Sequence, residues 1–325
     1  MAEIHPGYRP IVVKLTDVEP TSGPRGIRIA TISETDRDVV PVRAAACDVI
    51  YGPPASGAAH PAIVEVDDPS AAAAELVQKC RDHCAAATVL AQVLRSGASA
   101  DTVSAFDIES WAYSMLLGGD AFGAWLARRE PRPPDPARDD LVVAHRHGDV
   151  VQIVLNRPER RNAYSAALRD QLGAALDVAA LDDSVESVEI RAAGPAFCAG
   201  GDLAEFGTTP DPVTAHFLRT AVGAGPRLAA LTVPVTAYLH GACVGAGIEI
   251  PAFADRVVAD PSTTILLPEI GMGLIPGAGG TVGLPRRIGR WRTFHLVAGA
   301  VVLDAPTALA WGLIDDLAEV SPATG

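Results

Sequence analysis

The spacing of apolar and polar positions changes period several times along the 325 residues, and each change predicts an element. "GIRIATIS" (26–33) and "AIVEVDD" (62–68) read as short strands. From 69 to 96 apolar residues recur at helical spacing behind Ser70 as a cap, and a second helix is expected over 104–128. "DLVVAHRHGDVVQIVLNRP" holds two alternating runs around His147-Gly148-Asp149, the pattern of a hairpin closing in an Asn-Arg-Pro turn. Residues 165–181 then carry Leu168, Leu172, Leu176 and Ala179 on one helical face. A strand at 186–192, a Gly-rich loop, a helix, the strand "PVTAYLHGAC", a second Gly-rich loop, a helix and the interrupted strand "DRVVADPSTTILLP" follow.

Strands that alternate with helices predict an α/β domain with largely parallel pairing, and a strand-strand-helix rhythm is visible without any sequence repeat. The stretch "ARREPRPPDPARDD" (127–140) is dense in proline and charge and reads as a linker. It divides residues 1–135, an α/β-to-helical part, from a core at 136–325.

Composition narrows the function. A formal charge of −13 without a basic stripe argues against a nucleic-acid partner. No run reaches the roughly 20 apolar residues that span a bilayer, and "MAEIHPGYRP" lacks signal-peptide order, so a cytoplasmic protein without a membrane partner is expected. Five cysteines without a C-x-x-C pair suggest neither a disulfide framework nor a zinc site. Cys80 and Cys84, at helical i and i+4, are two ligands at most, and no metal is assigned. The arginines at 157, 160 and 161 and at 286, 287, 290 and 292 read as surface charges or anion contacts.

Three Gly-rich loops need a reason: "FCAGGD" (197–202), "HGACVGAGIE" (240–249) and "GMGLIPGAGGT" (271–281). None is a phosphate loop, none completes a dinucleotide fingerprint, and no G-x-S-x-G elbow occurs. Tight packing alone explains any one of them. Two, however, place small residues before a helix, where free backbone N–H groups can bind an anion or a developing oxyanion. Glu249 and Glu269 are each set against apolar neighbours beside these loops, and two such acids make a better site than either alone.

"LNRPERRNAYS" (155–165), "AFCAGGDL" (196–203), "HGACVGAGIEI" (240–250) and "PEIGMGLIPGAGGT" (268–281), in this order and spacing, resemble the enoyl-CoA hydratase/isomerase, or crotonase, superfamily. The resemblance covers most of 140–318 and implies a spiral of repeated ββα units. It implies an enzyme acting on a coenzyme A thioester without a further cofactor. The family's oxyanion-hole amides fall on Gly201 and on Ala246, where alanine replaces the more usual glycine. Its catalytic glutamates fall on Glu249 and Glu269, which implies hydration of a 2-enoyl-CoA. Two close carboxylates in an apolar pocket resist double ionisation, so one is expected to be ionised and the other protonated. Which is which stays open, with Glu249 orienting or activating water and Glu269 supplying the proton as the assignment adopted. Its substrate contacts fall on Arg161, Ala163, Ala199, Gly200, Asp202, Leu203 and Gly245, with Asp202 also shaping its loop and Arg157 and Arg160 available to phosphates.

The resemblance also implies a homotrimer or a dimer of trimers. Members carry further helices after the segment "GLIDDLAEVSPATG", covering the acyl pocket. The helices at 69–96 and 104–128 are expected to take that place. "ESWAYSMLLGGDAF" (109–122) is also similar, more faintly, to cofactor-free oxygenases of the superfamily. Double-bond isomerisation, such oxygenation, or acyl-CoA binding without turnover are the alternatives.

Overall fold

The computed structural model describes residues 6–19, 25–54, 60–130, 133 and 138–324. Four short strands near the start, β1 (Ile11–Lys14), β2 (Arg28–Thr31), β3 (Val49–Gly52) and β4 (Ile63–Glu65), pair in that order into an all-parallel sheet. Only β2 and β4 were expected. β3 is buried on both faces, so "DVIYG" shows no alternation to mark it. A one-turn helix, α1 (Val40–Arg43), lies between β2 and β3.

The two long helices predicted next are each broken. α2 (Pro69–Asp82) is capped by Asp68, whose carboxylate accepts from Ser70 and Ala71 N–H, so the cap lies two residues before Ser70. His83 leaves helical geometry (φ −123°, ψ 41°), and α3 (Cys84–Gly97) starts a new axis. Cys80 and Cys84 therefore sit on different helices, the first buried and the second half-buried. α4 (Thr102–Leu117) is capped by Asp101 and ends at Gly118-Gly119, after which α5 (Asp120–Ala127) begins. Part of the expected linker, 131–132 and 134–137, lies outside the described residues; Ala127 still belongs to α5, and 128–130, 133 and 138–140 form neither helix nor strand.

The hairpin β5 (Val142–His147) and β6 (Val150–Leu155) turns at Gly148, with φ 65°. α6 (Ala166–Leu181) follows, capped by Ser165 Oγ and burying Leu168, Leu172, Leu176 and Ala179 as the spacing predicts. Then come β7 (Ser187–Ala192), α7 (Pro212–Val222), α8 (Ala224–Ala230), β8 (Val235–Leu239), β9 (Ala242–Val244), the single turn α9 (Ala246–Glu249), β10 (Arg256–Ala259) and β11 (Thr264–Leu266). α10 (Gly280–Ala298), β12 (Leu303–Asp304), α11 (Ala305–Trp311) and β13 (Asp316–Leu317) complete the order.

The strand-strand-helix rhythm has a spatial meaning. β8 and β10 join a six-stranded sheet, order β13-β10-β8-β7-β6-β5, parallel except for the hairpin. Their successors β9 and β11 join a second sheet, order β12-β11-β9, and each is followed by a helical turn. An isolated parallel bridge between Cys198 and Cys243 sets the loop after β7 beside β9. This α/β arrangement brings the first two Gly-rich loops side by side.

One hydrophobic cluster runs through both parts of the chain. Leu76, Leu90, Val93 and Leu94 of α2 and α3 belong to it together with Phe294 and Leu296 of α10 and Ile153 and Ile190 of the large sheet. No described helix is long and apolar enough to cross a membrane.

Candidate active site

Local geometry explains the glycines. Gly200 holds φ 93°, which an L side chain rarely adopts, and a Cβ there would approach the Val244 carbonyl oxygen tightly, at 3.2 Å. Gly245 (φ 49°) turns the chain from β9 into α9, and a Cβ on it would lie 2.7 Å from Glu269 Oε1 and 3.7 Å from Glu249 Oε1. One backbone position thus touches both acids.

The bridge between Tyr164 and Gly201 is made by Tyr164 N–H to Gly200 O and Asp202 N–H to Tyr164 O. It leaves the Gly201 N–H without an acceptor among the described residues. Ala246, first in its helical turn, likewise has no acceptor for its N–H, as helix geometry requires of a first residue. Both residues line one cavity of about 230 Å³, together with Asp202, Glu249 and Glu269.

Glu249 is 3% exposed, and its partners lie neither in its own turn nor in solvent. Ala278 and Gly280 N–H donate to its Oε2 at 2.7 and 3.0 Å, from the third Gly-rich loop. A third acid completes the set. Glu109 of α4, also 3% exposed, accepts from the Gly279 N–H (2.8 Å), the Thr281 N–H (2.7 Å) and the Thr281 hydroxyl (2.7 Å). Glu269 Oε2 is buried with no hydrogen-bond partner among the described residues.

Burial raises the pKa of all three, because the charged form loses its water. Glu109 is pushed up to about 7, with Thr281, Gly279 and the Arg219 guanidinium opposing the rise. Glu269 is pushed up to about 8, burial and the Glu109 charge acting together. Glu249 is raised well above 4.5 by burial and then by Glu269, while the two amides pull it back. Glu249 and Glu269 cannot both ionise at low cost beside one another. The two amide donors to Glu249, and the absence of a partner for Glu269 Oε2 among the described residues, favour charge on Glu249, whereas the Glu269 charge acts to raise Glu249. The pair holds one proton between them, and hydrogen bonding and charge repulsion pull it in opposite directions.

The remaining expected contacts separate into two groups. Arg161, Ala163, Ala199, Gly200, Leu203 and Gly245 belong to the same loop cluster but do not line the cavity. Arg161 adopts left-handed geometry (φ 51°) with an exposed side chain, and its carbonyl accepts from the Ala199 N–H, which ties the segment to the first loop. Asp202 accepts from the Ala204 N–H at 2.9 Å and pairs with Arg157 at 2.7 Å. Arg157 is 3% exposed and also donates to the Ala163 carbonyl, so its side chain braces the loop and does not reach outward to phosphates.

Glu109, Tyr113 and Arg219 also line the cavity and were not picked out by sequence. A glutamate inside "DIESWAYSMLLGG" was the available signal, but its partners at 279–281 are distant in sequence.

Residues 145–322 match the family model described as enoyl-CoA hydratase/isomerase. An enoyl-CoA isomerase/hydratase of Mycosarcoma maydis is 36% identical over 178 residues, covering 52% of this chain and 65% of that protein. The 2,3-dehydroadipyl-CoA hydratase of Escherichia coli (strain K12) is 35% identical over 178 residues, covering 55% and 69%. Among solved structures, the enoyl-CoA hydratase of Thermoplasma volcanium GSS1 superposes with a TM-score of 0.51 at 33% identity, covering 55% of this chain and 71% of that one. The chain thus spans about two thirds of the length of these relatives.

Proposed function

We propose that this chain, which belongs to the enoyl-CoA hydratase/isomerase family, adds water across the double bond of a 2-enoyl-CoA thioester. The observation that carries the reading is one cavity lined by two amides without acceptors, at Gly201 and Ala246, and by two buried glutamates of unequal environment.

In this reading the thioester oxygen faces the two amides. Attack of water on C3 moves negative charge onto that oxygen, and each preorganised donor accounts for ~100- to 1,000-fold in rate. Glu249, its charge favoured by Ala278 and Gly280, takes the proton from water. Glu269, assigned the shared proton in this reading because nothing among the described residues donates to its Oε2, delivers it to C2. The asymmetry of the two acids supplies the division of labour.

α4 of the N-terminal part lines the cavity through Phe106, Glu109, Ser110, Tyr113 and Leu117. We read it as the cover of the acyl pocket, with α3 packed behind it against α10. A trimer belongs to the same reading, and light scattering would report it as a mass of three chains.

The test is loss of the enoyl thioester absorbance with crotonyl-CoA and longer 2-enoyl-CoAs, followed by the product mass. Hydration adds the mass of one water, isomerisation adds none, and oxygenation adds dioxygen. Glu249→Gln and Glu269→Gln should each lower kcat by about 100-fold or more. Full activity in both variants, or a product without added water, would sink the hydratase reading.

A further inference from the structure

Arg219 projects from α7 towards α4, and its hydrogen bonds are one-sided. Its Nε donates to Ser110 Oγ at 3.1 Å, and its Nη2 donates to the Ser110 carbonyl at 3.0 Å and to Ser114 Oγ. The guanidinium carbon lies 4.5 Å from the centre of the Tyr113 ring. These contacts fix the plane of the group. Nη1 has no acceptor among the described residues, and Arg219 forms no ion pair with them. Several other arginines are answered by a carboxylate, Arg157 by Asp202, Arg169 by Asp170, Arg227 by Asp177 and Arg287 by Asp315, while Arg292, which also forms no ion pair with the described residues, lies outside the cavity.

The nearby acid does not fill the gap. Both oxygens of Glu109 are engaged by Gly279 and Thr281, and it forms no ion pair with Arg219. Arg219 nevertheless lines the same cavity as Glu249, Glu269 and the amides of Gly201 and Ala246. A half-buried guanidinium, held through Nε, Nη2 and its face and open at Nη1, is preorganised for a planar anion. Phe106, Tyr113 and Leu117 supply apolar wall in the same cavity, which suits a short hydrocarbon segment.

We propose that the cavity selects acyl-CoA thioesters whose acyl chain ends in a carboxylate, held by the free Nη1 edge of Arg219. The proposal rests on the acyl-CoA reading above. A phosphate of coenzyme A is the other anion such a substrate carries, and the test separates the two.

The experiment is calorimetric binding, which needs no turnover. Two saturated six-carbon acyl-CoAs are titrated, one ending in a carboxylate and one in a methyl group, into the wild type and Arg219→Met. The wild type should bind the carboxylate-ended thioester about 10- to 100-fold more tightly. Arg219→Met should bring the two to equality by weakening only the carboxylate-ended one.

Equal binding of both by the wild type would overturn the proposal and leave the acyl-CoA reading standing. Equal weakening of both in Arg219→Met would also overturn it, because a contact to coenzyme A phosphate is common to the two ligands. Binding of neither would remove the acyl-CoA reading and this inference with it. Should Arg219→Met fail to fold, the wild-type comparison decides alone, and Arg219→Lys, with its charge kept and its fork lost, should retain only part of the preference.

Discussion

Glu109 and Glu249, from the two parts of the chain, divide the amides of one loop between them: Ala278 and Gly280 donate to Glu249, Gly279 and Thr281 to Glu109. The alternation follows from a backbone whose successive N–H groups at the start of α10 lack intrahelical acceptors and point to opposite sides. The positive end of the helix favours both carboxylates. Each acid fixes the loop that orients the other.

Glu109→Ala therefore strands two buried amides and the Thr281 hydroxyl. Each unsatisfied buried donor costs ~1 to 3 kcal/mol, some of it recovered by water entering the space left behind. A loss of about 3 kcal/mol in urea unfolding is expected. Glu109→Gln keeps one acceptor oxygen and should fall between. A loss below about 1 kcal/mol for the alanine variant would mean that the loop holds without this carboxylate.

Stability should fall as pH rises between about 5 and about 8. Glu269 has an ordinary value of 4.5 and a folded value of about 8, so across that interval the unfolded chain is the more ionised and holds fewer protons. The stability this protonated group contributes is complete below 4.5 and lost as pH passes through about 8. Glu109, raised to about 7, acts in the same direction up to that value. Urea midpoints at pH 5.5 and 8.5 should differ, and Glu269→Gln should reduce the difference without removing it. Under the hydratase reading, activity should also decline above about pH 8, where Glu269 no longer carries its proton.

Gly245→Ala tests the hinge of the site. The residue holds φ 49°, and the new methyl would meet Glu269 Oε1 at 2.7 Å. A positive φ costs an L residue roughly 1 to 2 kcal/mol before the clash is counted. Relief of both would turn the Ala246 N–H away from the cavity, so a fall in kcat of about 100-fold is expected even where the variant stays folded, as circular dichroism would show. Unchanged kcat in a folded variant would mean that the Ala246 amide plays no part.

The pair Glu249 and Glu269 was legible because each acid interrupts an apolar run beside glycines that a local rule can recognise. The hairpin, α6 and the interrupted strands were legible for the same reason: period and punctuation are short-range signals. Glu109 was not, since the groups that engage it are contributed by another part of the chain. The breaks at His83 and at Gly118-Gly119 were missed because apolar spacing continues across them, although two adjacent glycines are a recognised stop signal. β3 was hidden by burial on both faces. The reading of Arg157 as a phosphate contact failed because charge alone does not reveal that Asp202 already holds it.

Because one hydrophobic cluster runs through both parts, a fragment of residues 138–325 is expected not to fold as the whole chain does. Leu90, Val93 and Leu94 of α3 share one cluster with Phe294 and Leu296 of α10, and removing the first set opens apolar surface that the core cannot cover alone. Each large side chain so exposed costs ~1.5 to 3 kcal/mol, and a few of them rival the total stability of a domain. Gly279 and Thr281 would lose Glu109 at the same time, so the loop that holds Glu249 would loosen first. The fragment is expected to bind a hydrophobic dye and to unfold without a sharp transition, whereas the full chain unfolds cooperatively. A soluble fragment with a sharp urea transition would show that residues 138–325 form an independent domain, and that Glu109 is an addition to a loop already able to hold its shape.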